Sequence, residues 1–150
     1  MIRKLILTGA IFGFMTLAVS ATVFAQAEVN EKRQALMKNN GANAKALKAA
    51  IEEKNYATVE AKAKDIMGNA EKIVAAFPKG STTGKTKATG AIWEKSEDFR
   101  EAAKNLNKAA GELASAAKAG NDAEVGVKFK AVGEACNSCH KQFRAEKYAE

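Results

Sequence analysis

The sequence predicts an all-α protein, an antiparallel up-down-up-down four-helix bundle. Three observations carry this. Apolar residues recur at steps of three and four through four long segments. The chain has a single proline, Pro78. Most of the connections are short, and short connections force successive helices to run antiparallel.

The first helix is expected from about Val29 to Lys54, with Leu36, Met37, Ala44, Leu47 and Ile51 on one face. Asn39-Asn40-Gly41 interrupts its polar side. The apolar spacing stays in phase across this triplet, so the helix is expected to continue, with Gly41 a weak point of up to about 1 kcal/mol relative to Ala unless something packs against it. Asn55 suits the N-cap of the second helix, expected from Tyr56 to Phe77 and carrying Val59, Ala63, Ile66, Met67, Ala70, Ile73, Val74 and Phe77. Pro78 ends it. Lys79 to Gly90 mixes Gly, Ser, Thr and Lys without apolar period and reads as a loop.

The third helix is expected from Ile92 to Lys118, with Phe99, Ala103, Leu106, Ala110, Leu113 and Ala117 inward, and Gly120 stops it. Asn121 followed by Glu124 resembles a capping box for the fourth. That helix is expected from Asp122 to Lys147, with Val125, Phe129, Val132, Cys136, Cys139, His140 and Phe143 facing in.

Residues 1–25 read as a secretory signal: Arg3 and Lys4, an apolar run from Leu5 to Val19, then small residues. Cleavage is expected after Ala25, with Ala27 the second choice. No later segment is apolar enough to span a bilayer, so the mature chain is expected to be free of the membrane. Residues 26–150 then form one domain. It keeps 22 basic and 17 acidic residues, interleaved along the helices. A nucleic-acid binder would need a clustered basic stripe with exposed aromatics, and neither is evident.

Cys136-Asn137-Ser138-Cys139-His140 forms C-x-x-C-H, and His140 is the only histidine. This is the attachment pattern of a c-type haem. The thiols form thioethers with the haem vinyl groups, and the imidazole binds iron as the proximal axial ligand. A disulfide between the two cysteines would leave His140 unexplained. Zinc needs about four ligands, and a thioredoxin-type motif needs a βαβ setting. On a helix, Cys136, Cys139 and His140 share one face, so a haem along it would fill the core of a bundle built largely from Ala and Leu. The haem-free chain is expected to be much less ordered. Covalent haem attachment fits export to the periplasm.

Arg33-Gln34-x-Leu36-Met37 on the first helix, Ile92-Trp93, and Cys136-x-x-Cys139-His140-x-x-Phe143-Arg144 together resemble the cytochrome c-prime family, the class II c-type cytochromes, over essentially the whole mature chain. The resemblance puts Met37 on the distal side of the haem. In low-spin members a methionine there binds iron; in high-spin members the residue only shields an empty sixth site. Leu36 to Gly41 looks more like the low-spin members. Met67 reads as core packing. The resemblance suggests Arg33 and Gln34 as propionate partners, Arg33 also being readable as a solvated cation. It places Arg144 near the proximal imidazole, with a solvent-facing cation as the alternative. Trp93 reads as a core anchor, with haem contact as the alternative.

The functional expectation is a periplasmic one-electron carrier and not an enzyme, since no distal histidine offers acid–base chemistry. The alternative is a five-coordinate protein that binds nitric oxide or carbon monoxide. Lys79, Lys85, Lys87, Lys141, Arg144 and Lys147 are expected to form a basic rim for an acidic redox partner. The resemblance also suggests a homodimer through the first two helices.

Overall fold

The computed structural model describes the backbone of residues 14–147 and the side chains of residues 26–147. The predicted leader, residues 1–25, lies outside the described side chains, and only its backbone from Phe14 onward is described, as helix.

Four long helices form the predicted bundle. Helix α1 spans Phe14–Glu52 and runs unbroken through Asn39-Asn40-Gly41. No atom lies within 4 Å of the position a Cβ on Gly41 would take, so nothing described offsets its low propensity. The chain turns at Lys54, whose φ of 54° is left-handed. Helix α2, Tyr56–Ile73, starts with the expected cap: Asn55 Oδ1 accepts from the Thr58 amide at 3.1 Å. It ends at Ile73, four residues short of the predicted Phe77, and tightens to a 3₁₀ turn at Val74–Ala76 before Pro78.

The third predicted helix is broken in two. Helix α3, Ala91–Glu94, is a single turn, and Lys95 leaves helical geometry before α4, Ser96–Lys118. The break lets Ile92 turn fully inward while the Trp93 indole Nε1–H donates to the Phe77 carbonyl at 3.1 Å. Helix α5, Asp122–Phe143, is capped by Asn121, whose Oδ1 accepts from the Glu124 amide at 3.2 Å. It ends four residues short of the predicted Lys147, because Arg144 becomes extended and pairs with Ala88 in an isolated bridge. Among the described residues there is no strand.

The core is uneven. Helices α2 and α4 supply most of the fully buried side chains, including Val59, Ile66, Phe99, Leu106 and Leu113. Helix α1 adds Leu47 and Ala50, and α5 adds Val125, Val132 and Phe143. Nine of these 20 buried apolar residues are alanine, six of them on α4. The packing follows suit: α1 lies on α2, α2 on α4 and α4 on α5, while α1 and α5 barely touch. The fourth seam of the bundle is open.

Candidate functional site

The residues singled out from the sequence lie on the two helices that flank this open seam. On α5, Cys136 and Cys139 are half-buried at the edge of the core, and His140 is exposed beside them. On α1, Leu36 and Met37 are half-buried at the edge of the same core. A closed seam would bury such residues. Met67 is elsewhere: its Sδ packs against Gly111 between α2 and α4, in keeping with the packing role read from the sequence.

Both thiols are free. Burial pushes the Cys136 thiol up, and burial followed by the neighbouring Cys136 pushes Cys139 up to about 11. A thiol–disulfide catalyst needs the reverse, a thiolate stabilised near neutral pH. Although His140 is exposed as a residue, desolvation of its ring and then the nearby charge of Arg144 lower its pKa. Both effects favour the neutral ring, the form that can donate a lone pair to a metal. Arg144 itself is exposed, so it is both a surface cation and close enough to His140 to act on it.

These observations fit a covalent haem c. Two thiols one turn apart on one helix face sit next to a neutral imidazole, and a thioether lies at the edge of the core on the helix across the seam. An apolar macrocycle would supply the burial that α1 and α5 lack.

Arg33 and Gln34 are turned into the 79–90 loop. Arg33 is only 4% exposed. Its Nε–H donates to the Ala76 carbonyl at 3.2 Å. Its Nη1 donates to Asn30 Oδ1 at 3.2 Å, the Ser81 carbonyl at 3.2 Å and Thr86 Oγ1 at 2.9 Å. Its Nη2 donates to Ser81 Oγ at 2.5 Å. The guanidinium also stacks 4.2 Å over the centroid of the Phe77 ring. No carboxylate is among these partners, and burial lowers its pKa. Gln34 Nε2 donates to the Lys85 carbonyl at 2.8 Å. The solvated-cation reading of Arg33 is therefore overturned: the side chain is buried, its charge spread over neutral oxygens and one aromatic face.

The loop is the part sequence reasoning missed. Asn30, Arg33, Ser81 and Thr86 make up all but one of the buried polar residues among those described, Asn43 being the other. Asn30 Nδ2 donates to the Thr83 carbonyl at 3.0 Å. It reaches so near Gly84 that a Cβ there would stand 3.3 Å from it, at a φ of 75° that only glycine adopts freely. The far side of the loop is sewn to the end of α5. The Thr89 amide donates to the Phe143 carbonyl at 3.1 Å, and the Ala145 amide donates to the Lys87 carbonyl at 2.8 Å. An aromatic ladder runs beneath: Phe77 to Phe99 and Phe99 to Phe143, each edge-to-face with centroids 5.1 Å apart.

Comparison with known proteins agrees with this site. Residues 28–144 match the family described as cytochrome c'. The chain is 37% identical over 122 residues to cytochrome c' of Pararhodospirillum photometricum, covering 79% of this chain and 97% of that one. It is 35% identical over 147 residues to cytochrome c-556 of Agrobacterium fabrum, covering 96% and 97%. Among solved structures, cytochrome c' from Thermochromatium tepidum superposes with a TM-score of 0.74 at 32% identity, over 81% of this chain and 97% of that one. A cytochrome c' with ligand-controlled dimer dissociation does so with a TM-score of 0.75 at 34% identity, over the same shares. A four-helix bundle with its C-x-x-C-H on the last helix, matched along nearly all of its described length, thus belongs to the cytochrome c' family and binds a covalent haem c.

Proposed function

We propose that this chain is exported with loss of residues 1–25 and acts in the periplasm as a one-electron carrier, with His140 on the proximal side of the haem iron and Met37 on the distal side. The observation that carries this reading is the open α1/α5 seam, with the attachment motif on one wall and a thioether on the other. The bound haem supplies the one-electron iron couple. Cys136 and Cys139 anchor it through thioethers. The neutral His140 ring offers its lone pair. Met37 offers a soft sulfur that favours the ferrous state and raises the potential. Electron transfer asks no side chain to move a proton, so we assign no catalytic residue.

The second reading is an open sixth site that takes nitric oxide or carbon monoxide, with Met37 as a shield. The relatives named cytochrome c' favour it, whereas the Leu36-Met37-Lys38-Asn39-Asn40-Gly41 stretch favours ligation. The deciding experiment is the absorption spectrum of the haem-loaded protein, ferric and ferrous, with and without carbon monoxide. Met37 ligation gives a low-spin spectrum, no carbon monoxide adduct, and loss of both features in Met37→Ala. A high-spin wild type that binds carbon monoxide promptly refutes ligation and establishes the second reading.

We also propose that the loop and the end of α5, which lie side by side, present Lys79, Lys85, Lys141, Arg144 and Lys147 to an acidic redox partner. These five residues are exposed, whereas the Lys87 ammonium is bound to the Glu146 carbonyl. Electron-transfer rates that do not fall with rising ionic strength would refute the rim. Self-association through α1 and α2, supported by the related protein whose dimer dissociates under ligand control, is read by sedimentation of the holoprotein with and without carbon monoxide; a monomer under both conditions refutes it.

A further inference from the structure

We infer that Asn69 on α2 is a positioning residue for Met37. On the reading that Met37 stands on the distal side of the haem, Asn69 keys the turn of α1 that carries it onto α2.

The inward stripe of α1 steps by three and four through Arg33, Met37, Asn40, Ala44, Leu47 and Ile51. Asparagine interrupts its apolar character. Asn40 lies on the stripe and is half-buried, and Asn43 beside it is only 6% exposed. Leu36 and Met37 are themselves half-buried. Among the described residues, the nearest fully buried apolar side chain on α1 is Leu47, about three turns past Met37. Three asparagines and Gly41 within residues 39–43 also cost α1 helix propensity. Helix stability therefore does not account for the amides at this level.

Their hydrogen bonds do. Asn69 Nδ2 donates to Asn39 Oδ1 at 2.7 Å and to Asn40 Oδ1 at 2.8 Å. Asn43 Nδ2 donates to the same Asn39 oxygen at 3.0 Å. Both N–H groups of the Asn69 amide and both lone pairs of Asn39 Oδ1 are thereby used. Among the described residues, the side-chain hydrogen bonds that run directly from α2 to α1 are these two from Asn69. A slip of one residue would carry the two acceptors about 1.5 Å along the axis and about 100° around it, out of reach of one amide. Buried asparagine sets the register of paired helices in the same way. Asn39 and Asn40 are two and three residues past Met37, so a register fixed at the amides is fixed at the thioether.

Met37 either binds the iron or crowds its sixth site. In both cases carbon monoxide must displace it, so freeing its turn tightens carbon monoxide binding.

The test uses the haem-loaded protein. Asn69→Ala removes both donors. Asn40→Ala removes one acceptor while improving helix propensity, so fraying of α1 does not explain its effect. Asn107→Ala is the control. Asn107 Nδ2 donates to the Met67 carbonyl at 3.0 Å, a similar amide bond near the same level of α2 but on its α4 side. Two neutral hydrogen bonds of ordinary net strength are worth about tenfold in an equilibrium constant. Asn69→Ala is expected to raise the carbon monoxide affinity of the ferrous protein, titrated under pressure, about tenfold, and Asn40→Ala about threefold. Amide hydrogen exchange at residues 36–43 is expected to speed up by similar factors. Asn107→Ala is expected to change neither. The gain in affinity is expected to vanish in a Met37→Ala background, because a positioning residue acts through the side chain it positions.

Unchanged carbon monoxide affinity in Asn69→Ala and Asn40→Ala overturns the inference. An equal rise in Asn107→Ala, or a rise that persists without Met37, overturns it too. Should Asn69→Ala fail to give folded holoprotein, Asn40→Ala decides alone. Failure of the underlying reading looks different: Met37→Ala itself would then leave the spectrum and the carbon monoxide affinity of the wild type unchanged, which refutes the distal placement.

Discussion

Phe99 is the keystone of the aromatic ladder, and Phe99→Leu tests it directly. The ring is 4% exposed and meets Phe77 and Phe143 edge-to-face, both at 5.1 Å. Leucine retains most of the apolar burial but cannot reproduce either ring contact. Each such pair contributes about 0.5–1.5 kcal/mol beyond area burial, so two pairs give a loss of about 2 kcal/mol. In a domain of this size that lowers Tm by roughly 8 °C. Thermal and urea unfolding of the holoprotein read the loss. A double-mutant cycle with Phe77→Leu reads the pairwise part, expected at about 1 kcal/mol. The Phe77 and Phe143 rings communicate through Phe99, so their mutual coupling is expected to vanish once Phe99 is leucine. A total loss below about 0.5 kcal/mol, or no coupling between Phe77 and Phe99, refutes the ladder as a source of stability.

Cys136→Ala plus Cys139→Ala prevents covalent attachment and is expected to abolish cooperative thermal unfolding, because α1 and α5 bury few apolar side chains of their own; an unchanged sharp transition by circular dichroism would contradict this. Gly126 is exposed on α5 with open space around its missing Cβ, so Gly126→Ala should stabilise the fold by about 0.5–1 kcal/mol in urea titration, and a loss would mean that another surface covers it. The hydrogen bond from Lys54, then that from Tyr56, then the Lys54 charge hold the Asp122 carboxyl below its usual range. Its contribution is therefore present above the unfolded carboxylate value of about 3.9 and is lost as pH falls through the lower folded value. Asp122→Asn should flatten the acid limb of the stability curve there, and an identical limb would show that the cluster adds nothing.

The helices and the attachment motif were legible because their signals are local. Steps of three and four fixed the long elements, and Asn55 and Asn121 announced their caps within three residues. The break at Lys95 was not legible, since it depends on the Trp93 indole meeting the Phe77 carbonyl, sixteen residues away in sequence. The order of the 79–90 loop was hidden for the same reason. Its partners Asn30 and Arg33 lie about fifty residues earlier, and nothing near Thr86 signals them. The one local hint was a loop rich in hydroxyl side chains and glycine following an arginine on the apolar side of α1. Met37 and His140 could be named from the sequence, but the open seam between their helices is a property of packing.

Among its described residues, α1 contributes only Leu47 and Ala50 to the fully buried apolar core, whereas its Asn30, Arg33 and Asn43 are buried polar residues. Detaching α1 would therefore cost polar contacts more than apolar ones, because the buried Arg33 would lose its hydrogen bonds to Ser81 and Thr86.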